Sequence, residues 1–285
     1  MSQLELPENL VAELVGNAPL GAWVASLPAL LADVAASWAL TVGRPYQPGG
    51  ATSWTAPARD GAGRPLALKI AHRHPEARHE AEALADWDGR GAVRLVRSRV
   101  VGDSNVLLLE RCEPGTLLRD ALPAAAQDAV LAGVLRRLWI EPAAHRYQPL
   151  SDMCARWADD FEERVAGDPG LARAGVALFR ELPASATDEV LLHTDLHPGN
   201  VLASTREPWL AIDPKPHAGD PTYDALQHML NSPDRLVADP LGFGRRLAAL
   251  LGLDPVRLRH WLFARCVLEG PGRPWLAAVA RAVAP

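Results

Sequence analysis

Lysine is almost absent from this 285-residue chain: of 29 basic residues only Lys69 and Lys215 are lysines, leaving 27 arginines. A chain so biased keeps lysine where arginine's broad planar fork does not replace a compact ammonium, which makes both positions candidate working residues. Cysteine is scarce too. Cys112, Cys154 and Cys266 are scattered, odd in number and form no CxxC pair. That excludes a disulfide framework and a zinc ribbon and points to a reducing, cytoplasmic setting. Excess positive charge is missing: the formal charge of −5 argues against a nucleic-acid partner and is compatible with a cationic ligand. An uninterrupted apolar span is missing as well. The most apolar stretch, "PLGAWVASLPALLADVAASWAL", is broken by Pro28 and Asp33 and has no close Lys/Arg flanks. It is read as an amphipathic helix on a core, with no membrane partner. The opening "MSQLELPENL" is acidic and lacks the basic region of a secretory leader.

What is present is an ordinary globular composition, 48% hydrophobic and 22% charged, in a chain long enough for one bilobal unit or two domains. From about Trp38 to Glu110 the pattern favours short strands. "ATSWTAP" and "PLALKIA" are joined by the glycine-containing turn "RDGAGR", and "AVRLVRSRVV" and "NVLLLER" by a turn at Gly102-Asp103. Between the two pairs, "PEARHEAEALADW" reads as a helix with Pro75 near its first turn. After a linker at Glu110–Gly115, Ala- and Leu-rich helical segments run from about Pro123 to Leu182 and from Tyr223 to the C-terminus. The expectation is α+β: a β-rich N-terminal lobe over residues 1–110 and a mainly helical C-terminal lobe over 111–285.

The segment between the helical runs, "LLHTDLHPGNVLASTREPWLAIDPKPHAGDPTYD", gathers the chemistry. It reads as a loop and two short strands, "NVLAS" and "PWLAID". Phosphoryl transfer from a nucleotide needs few but well-placed groups, because the work is positioning and charge neutralisation. Asp195 suits the carboxylate that orients an attacking hydroxyl. Asn200 and Asp213 suit a hard Mg²⁺ ion. Lys69, on a strand, suits the phosphates, with Glu80 or Glu82 of "HEAEAL" to orient it. Gly49 and Gly50, ahead of the lysine strand, suit a loop whose N–H groups cover phosphate. A rival reading takes His193-x-Asp195-x-His197 as alternating metal ligands of a hydrolase, completed by Asp213 or His217. Pro198-Gly199 breaks that strand at once, and the lysine strand then has no purpose. A nucleotide binder without turnover would have lost one of Asp195, Asn200, Asp213 or Lys69, and all four are present.

These residues carry a resemblance. "HTDLHPGN" resembles the catalytic loop of the aminoglycoside phosphotransferases and related antibiotic kinases, and "AIDP" their metal-binding aspartate. The string "IDPKPxxGDPxYDxxxHxLN", from Ile212 to Asn231, is similar to the streptomycin 6-phosphotransferase and hydroxyurea phosphotransferase branch. "GGATSW", "LALKI", "HEAEAL", "GRGAVRLV" and "LLLERCEPG" follow in the family's order, so the similarity covers most of the chain. The resemblance implies a bilobal protein-kinase-like fold and an ATP (or GTP) and Mg²⁺-dependent kinase acting on the hydroxyl of a small molecule. Streptomycin, hydroxyurea or another metabolite would fit. It implies Asp195 as the catalytic aspartate, His193 as a brace for the loop, and Asn200 and Asp213 as magnesium ligands. Lys69 would contact phosphate and pair with Glu80, with Gly49, Gly50 and Ser53 in the covering loop. Glu110, Arg111 and Cys112 would form the hinge against adenine, and Asp220 would hold the catalytic loop's backbone. Lys215 would touch γ-phosphate or substrate, or pair with a carboxylate. Only Pro214–Ala218 separate Asp213 from the "GDP" motif, too little for a peptide-presenting segment. For a guanidinium-bearing substrate, Asp160 and Glu163 in "WADDFEERVAGD" and Glu269 are candidate pocket carboxylates, against the default of a solvated helix face.

Overall fold

The first long helix shows how local signals set the elements. Asn17 accepts a hydrogen bond from Leu20 N at 3.1 Å and Pro19 stands in the first turn, starting α2 (Ala18–Ser37). Leu20, Trp23, Leu27 and Val34 recur at helical spacing and are buried together against the sheet that follows. This helix is long and apolar enough to cross a membrane by length and composition; its remaining face is mostly alanine, glycine, serine and proline. The computed structural model describes residues 4–74, 78–164 and 169–285. Met1–Gln3 of the leader reading, Pro75 of the expected helix and Val165–Asp168 of the acidic run lie outside them.

The chain divides into two units, Met1–Gly89 with Val93–Gly115, and Arg90–Ala92 with Thr116–Pro285. In the first, α1 (Glu8–Glu13) and α2 precede a five-stranded antiparallel sheet of β1 (Thr41–Val42), β2 (Ser53–Arg59), β3 (Pro65–His72), β4 (Leu95–Val101) and β5 (Ser104–Glu110). The order is β1-β2-β3-β5-β4. One face of β3 sends Leu66, Leu68 and Ile70 into a core with Trp54, Val106, Leu108 and the α2 residues. The period of two turns Lys69 to the other face. There α3 (Glu80–Trp87) buries Glu80, Ala83, Leu84 and Trp87, again one helical stripe. The helix begins at Glu80 and stops at Asp88, which takes the left-handed conformation with φ 44°.

The chain passes into the second unit within β6 (Pro114–Leu117), and there α4 (Leu118–Ala121) leads to α5 (Ala124–Leu138), α6 (Leu150–Arg164) and α7 (Pro169–Ala184). The segment read as loop and two strands holds four: β7 (Val190–Leu192), β8 (Val201–Ser204), β9 (Trp209–Ala211) and β10 (His217–Gly219). The extra pair, β7 with β10, escapes the sequence pattern because three residues are too few to show a period. Then come α8 (Asp224–Leu230), α9 (Pro233–Ala238), α10 (Pro240–Leu251), α11 (Pro255–Glu269) and α12 (Leu276–Val283). Asp239-Pro240 and Asp254-Pro255 each start a helix, the aspartate accepting from Gly242 N at 2.8 Å and from Val256 N at 2.9 Å. Phe179, Trp261 and Tyr223 pack edge to face in the core between α7, α11 and α8.

Four helices meet on one buried carboxylate. Asp128 of α5 receives His228 of α8 at 2.8 Å, Arg235 of α9 at 2.8 and 2.9 Å, and Arg246 of α10 at 2.7 Å. Burial alone would raise this acid, yet its three partners hold it well below the usual carboxylate range. The hub fixes α8, which matters for the site below. Replacing the fully buried Leu68 by alanine is expected to cost about 3 kcal/mol in urea unfolding. Val15, 89% exposed, should tolerate alanine within about 0.5 kcal/mol. Equal losses at the two positions would contradict this placement of the core.

Candidate active site

Two short ladders assemble the acidic segment. In the β8–β9 hairpin Val201 faces Ala211, and Ile212 N donates to Asn200 O at 2.9 Å. The ladder therefore sets Asn200 and Asp213 at neighbouring ends of the same hairpin. In the other ladder Leu192 faces His217, and Lys215 N donates to His193 O at 3.0 Å. The Thr194 hydroxyl donates to Lys215 O. Residues 193–195 and 213–215, well separated in the chain, are thus zipped together by backbone.

Asp195 stands at the junction of these ladders. Its Oδ2 lies 3.2 Å from the Lys215 ammonium, and its Oδ1 accepts from Gln227 Nε2 at 2.7 Å. Asn200 Nδ2 donates to the Asp195 backbone carbonyl at 2.9 Å, which directs the amide oxygen elsewhere. Thr194 and Asp213 both hold positive φ, 54° and 58°. For a β-branched threonine this is strain, and it persists only where surrounding bonds over-determine it.

Those bonds come from Asp224, to which the sequence motifs assigned no role. Its carboxylate accepts from Thr194 N at 2.7 Å, His193 N at 3.1 Å and Trp139 Nε1 at 3.0 Å. Full burial pushes the acid up to about 6 in spite of these donors. The expectation that Asp220 holds the catalytic loop's backbone is corrected here. Asp220 instead accepts from Thr222 N, Arg257 and Trp261, tying the turn before α8 to α11. The two aspartates are four residues apart, and only the one inside the helix points at the loop. A Tyr-Asp at a helix start is the available signal.

The histidines are occupied structurally. His193 is fully buried; its Nε2–H donates to Ile212 O at 3.1 Å while Nδ1 accepts from Asp195 N at 3.3 Å. Burial lowers it to about 3, so it is a neutral brace. His197 Nδ1 accepts from Gly199 N at 3.0 Å, and burial lowers this group too. His217 Nδ1 faces Lys215 O at 3.0 Å. Among the described residues no three His, Cys, Asp or Glu side chains converge as metal ligands. The alternating-ligand reading loses its first member, because both ring nitrogens of His193 are turned to backbone.

In the first unit Lys69 and Glu80 come together, the ammonium 2.7 and 2.8 Å from the two carboxylate oxygens. They are 6% and 1% exposed, whereas Glu82 lies on the exposed face, which decides between the two glutamates. Gly49 has φ 70°, its carbonyl accepts from Asn9 Nδ2 at 2.7 Å, and a Cβ there would meet Pro7 at 2.4 Å. At Gly50 a Cβ would lie 2.3 Å from the Ser53 hydroxyl, so a turned, closely packed loop requires both glycines. Glu110 N donates to Arg94 O at 2.9 Å, Arg111 approaches Glu113 at 3.7 Å, and Cys112 is buried.

The acidic run separates into two sets. Asp159 and Glu162 bind Arg180 on the surface, and Glu163 is exposed. Asp160 and Glu269 line a cleft of about 420 Å³ with Trp157, Phe161 and Arg273. Each is partnered, Asp160 by Arg164 at 3.2 Å and Glu269 by Arg273 at 3.3 Å and by the buried Arg265.

Residues 38–274 match the model of the aminoglycoside/hydroxyurea antibiotic resistance kinases. The chain belongs to that family. It is 36% identical over 274 residues to the hydroxyurea phosphotransferase of Kitasatospora aureofaciens, covering 93% of this chain and 78% of that one. With the streptomycin 6-kinase of Streptomyces glaucescens it shares 34% over 275 residues, 92% and 88% of the two chains. Its fold is that of the protein-kinase-like phosphotransferases. A macrolide 2′-phosphotransferase from Brachybacterium faecium superposes with a TM-score of 0.56 at 20% identity, covering 91% of this chain and 98% of that one. A choline kinase from Streptococcus pneumoniae does so with 0.59 at 14% identity, covering 89% and 96%. As a member of this resistance-kinase family the protein is a phosphotransferase of small molecules.

The buried groups give opposite pH signatures. An unfolded His193 takes up a proton below about 6.5, while the folded one resists until about 3, so its contribution to stability falls as pH drops through that window. Asp224, raised above its ordinary 3.8 to about 6, returns stability as pH falls from about 6. The two act in opposite directions in the intact protein, so single variants separate them. Relative to the parent, His193→Gln is expected to gain about 2 kcal/mol between pH 7 and pH 5 in urea unfolding. A difference that stays constant with pH would contradict a neutral buried His193.

Proposed function

We propose that the protein transfers the γ-phosphoryl group of ATP to a hydroxyl of an aminoglycoside of the streptomycin class, inactivating it in the cytoplasm. The observation that carries this reading is the carboxylate of Asp195, oriented through both oxygens and braced from behind by the Asp224-anchored loop. Bound Mg²⁺-ATP supplies the transferable phosphoryl group and spreads the charge that develops on it. Asp195 orients the acceptor hydroxyl and takes its proton at a carboxylate oxygen. Asn200 and Asp213 contribute an amide and a carboxylate oxygen, the hard donors that magnesium takes, from one hairpin. Lys69, kept in place by Glu80, neutralises phosphate, a task that suits a compact buried ammonium. Gly49, Gly50 and Ser53 supply the covering loop, and Glu110 to Cys112 the adenine-facing backbone. Lys215, 3.2 Å from Asp195, adds positive charge near the reacting groups.

For the acceptor, the cleft with Asp160 and Glu269 beside Trp157 combines carboxylates with an aromatic face, a surface suited to guanidinium groups. Glu163, exposed on α6, has no part in it. Hydroxyurea is the second reading, favoured by 36% identity to a hydroxyurea phosphotransferase and by the arginines that already partner both cleft carboxylates.

Purified protein with Mg²⁺-ATP is expected to phosphorylate streptomycin, read by mass spectrometry against hydroxyurea and other aminoglycosides. Product from hydroxyurea alone would replace the first reading by the second. Asp195→Ala should lower turnover by at least ~10²-fold with nucleotide affinity nearly intact. Asp213→Ala should abolish the magnesium dependence of nucleotide binding. Unchanged turnover in the first variant, or unchanged metal-dependent binding in the second, would overturn the respective assignment.

A further inference from the structure

We infer that Gln227 is a positioning residue for phosphoryl transfer: its side-chain amide fixes the rotamer of the Asp195 carboxylate. The inference rests on the assignment of Asp195 proposed above. Helix α8 is buried at every position except Gln227, which is half-buried. That one side chain is turned to Asp195 Oδ1, at 2.7 Å. One helical turn earlier on the same face, Asp224 holds the backbone amides of His193 and Thr194. One short helix therefore fixes both the main chain before Asp195 and the direction of its carboxylate.

The helix is held for this task. His228, the next residue, joins the buried Asp128 hub with Arg235 and Arg246, and Asn231 Nδ2 donates to the Gln227 carbonyl at 2.9 Å. The chemistry of an amide explains the residue type. Gln227 donates one strong hydrogen bond without adding charge, and the other oxygen, Oδ2, faces the Lys215 ammonium at 3.2 Å. With Oδ1 fixed by a neutral donor and Oδ2 beside a cation, the carboxylate can turn neither away from an acceptor hydroxyl nor into the protein. A carboxylate free to rotate would lose near-attack geometry while binding of nucleotide and acceptor stayed the same.

Gln227→Met keeps length and removes the donor. With streptomycin or hydroxyurea, whichever is phosphorylated, the expected result is a fall in kcat of roughly tenfold or more, the scale of one hydrogen bond to a charged group. KM for ATP and acceptor should stay within about twofold, and Tm within a few degrees. In the Asp195→Ala background the same substitution should change kcat by less than about twofold. Equal losses in both backgrounds, or a loss confined to KM or Tm, would overturn the positioning role. An Asp195→Ala variant with parental turnover would instead sink the underlying assignment, a separate outcome. A readout without turnover accompanies these. In ¹⁵N-labelled protein the Gln227 side-chain amide signal, identified by its disappearance in Gln227→Met, should shift in Asp195→Ala. A signal that does not move would show that the contact is absent in solution and overturn the inference.

Discussion

A buried carboxylate receiving two main-chain N–H groups underlies the site. Asp224 accepts from His193 and Thr194, and Trp139 supplies a third donor. Removing a carboxylate from water is unfavourable, and full burial is visible in its rise to about 6. The three donors offset that cost only where they converge, so the loop is held in one conformation. Threonine at φ 54° is the local consequence, a strained backbone that the anchored amide sustains. Asp195 follows Thr194 directly and inherits its direction.

The anchor is itself supported. Asp128 of α5 gathers a histidine and two arginines from α8, α9 and α10. Such ionic hubs add little net stability compared with apolar packing, but loss of the shared carboxylate would take from the buried His228 and from both arginines their common acceptor. Their use here is geometric. They pin a seven-residue helix whose inner face is otherwise apolar and which carries Asp224 and Gln227 towards one loop.

The two lysines illustrate why a chain of 27 arginines retains an ammonium at two places. Lys69 lies on the sheet face opposite the main core and closes on both oxygens of Glu80 within 2.8 Å. A planar guanidinium would demand more space and more acceptors there. Lys215 lies two residues after Asp213 on the ladder that joins the two acidic turns, which puts its ammonium at Asp195. The cleft beside α6 and α11 follows another logic. Asp160 and Glu269 come from helices far apart in sequence and meet in one cleft, each already neighboured by arginine.

Much of this protein is legible in its residues taken in order. The α+β class and the family follow from motifs whose joint sequence no single loop aspartate or strand lysine would justify. Glu80 stands at the first position of a helical stripe with Ala83, Leu84 and Trp87, a period carried by the residues themselves. The apolar stretch at residues 19–40 displays the same stripe, Leu20, Trp23, Leu27 and Val34, on the core. Tertiary structure decided the rest. The β7–β10 ladder is too short to carry a period. Whether Asp220 or Asp224 holds the loop depends on which carboxylate a helix turns inward, and both stand in the same motif. Of four neighbouring acids on α6, only Asp160 reaches the cleft, because Arg180 claims Asp159 and Glu162 on the outer face. Gln227 is silent in the sequence, since an amide on a short helix has no pattern of its own. Its meaning comes from a contact across 32 residues, and contacts of that range are set by packing, not by local chemistry.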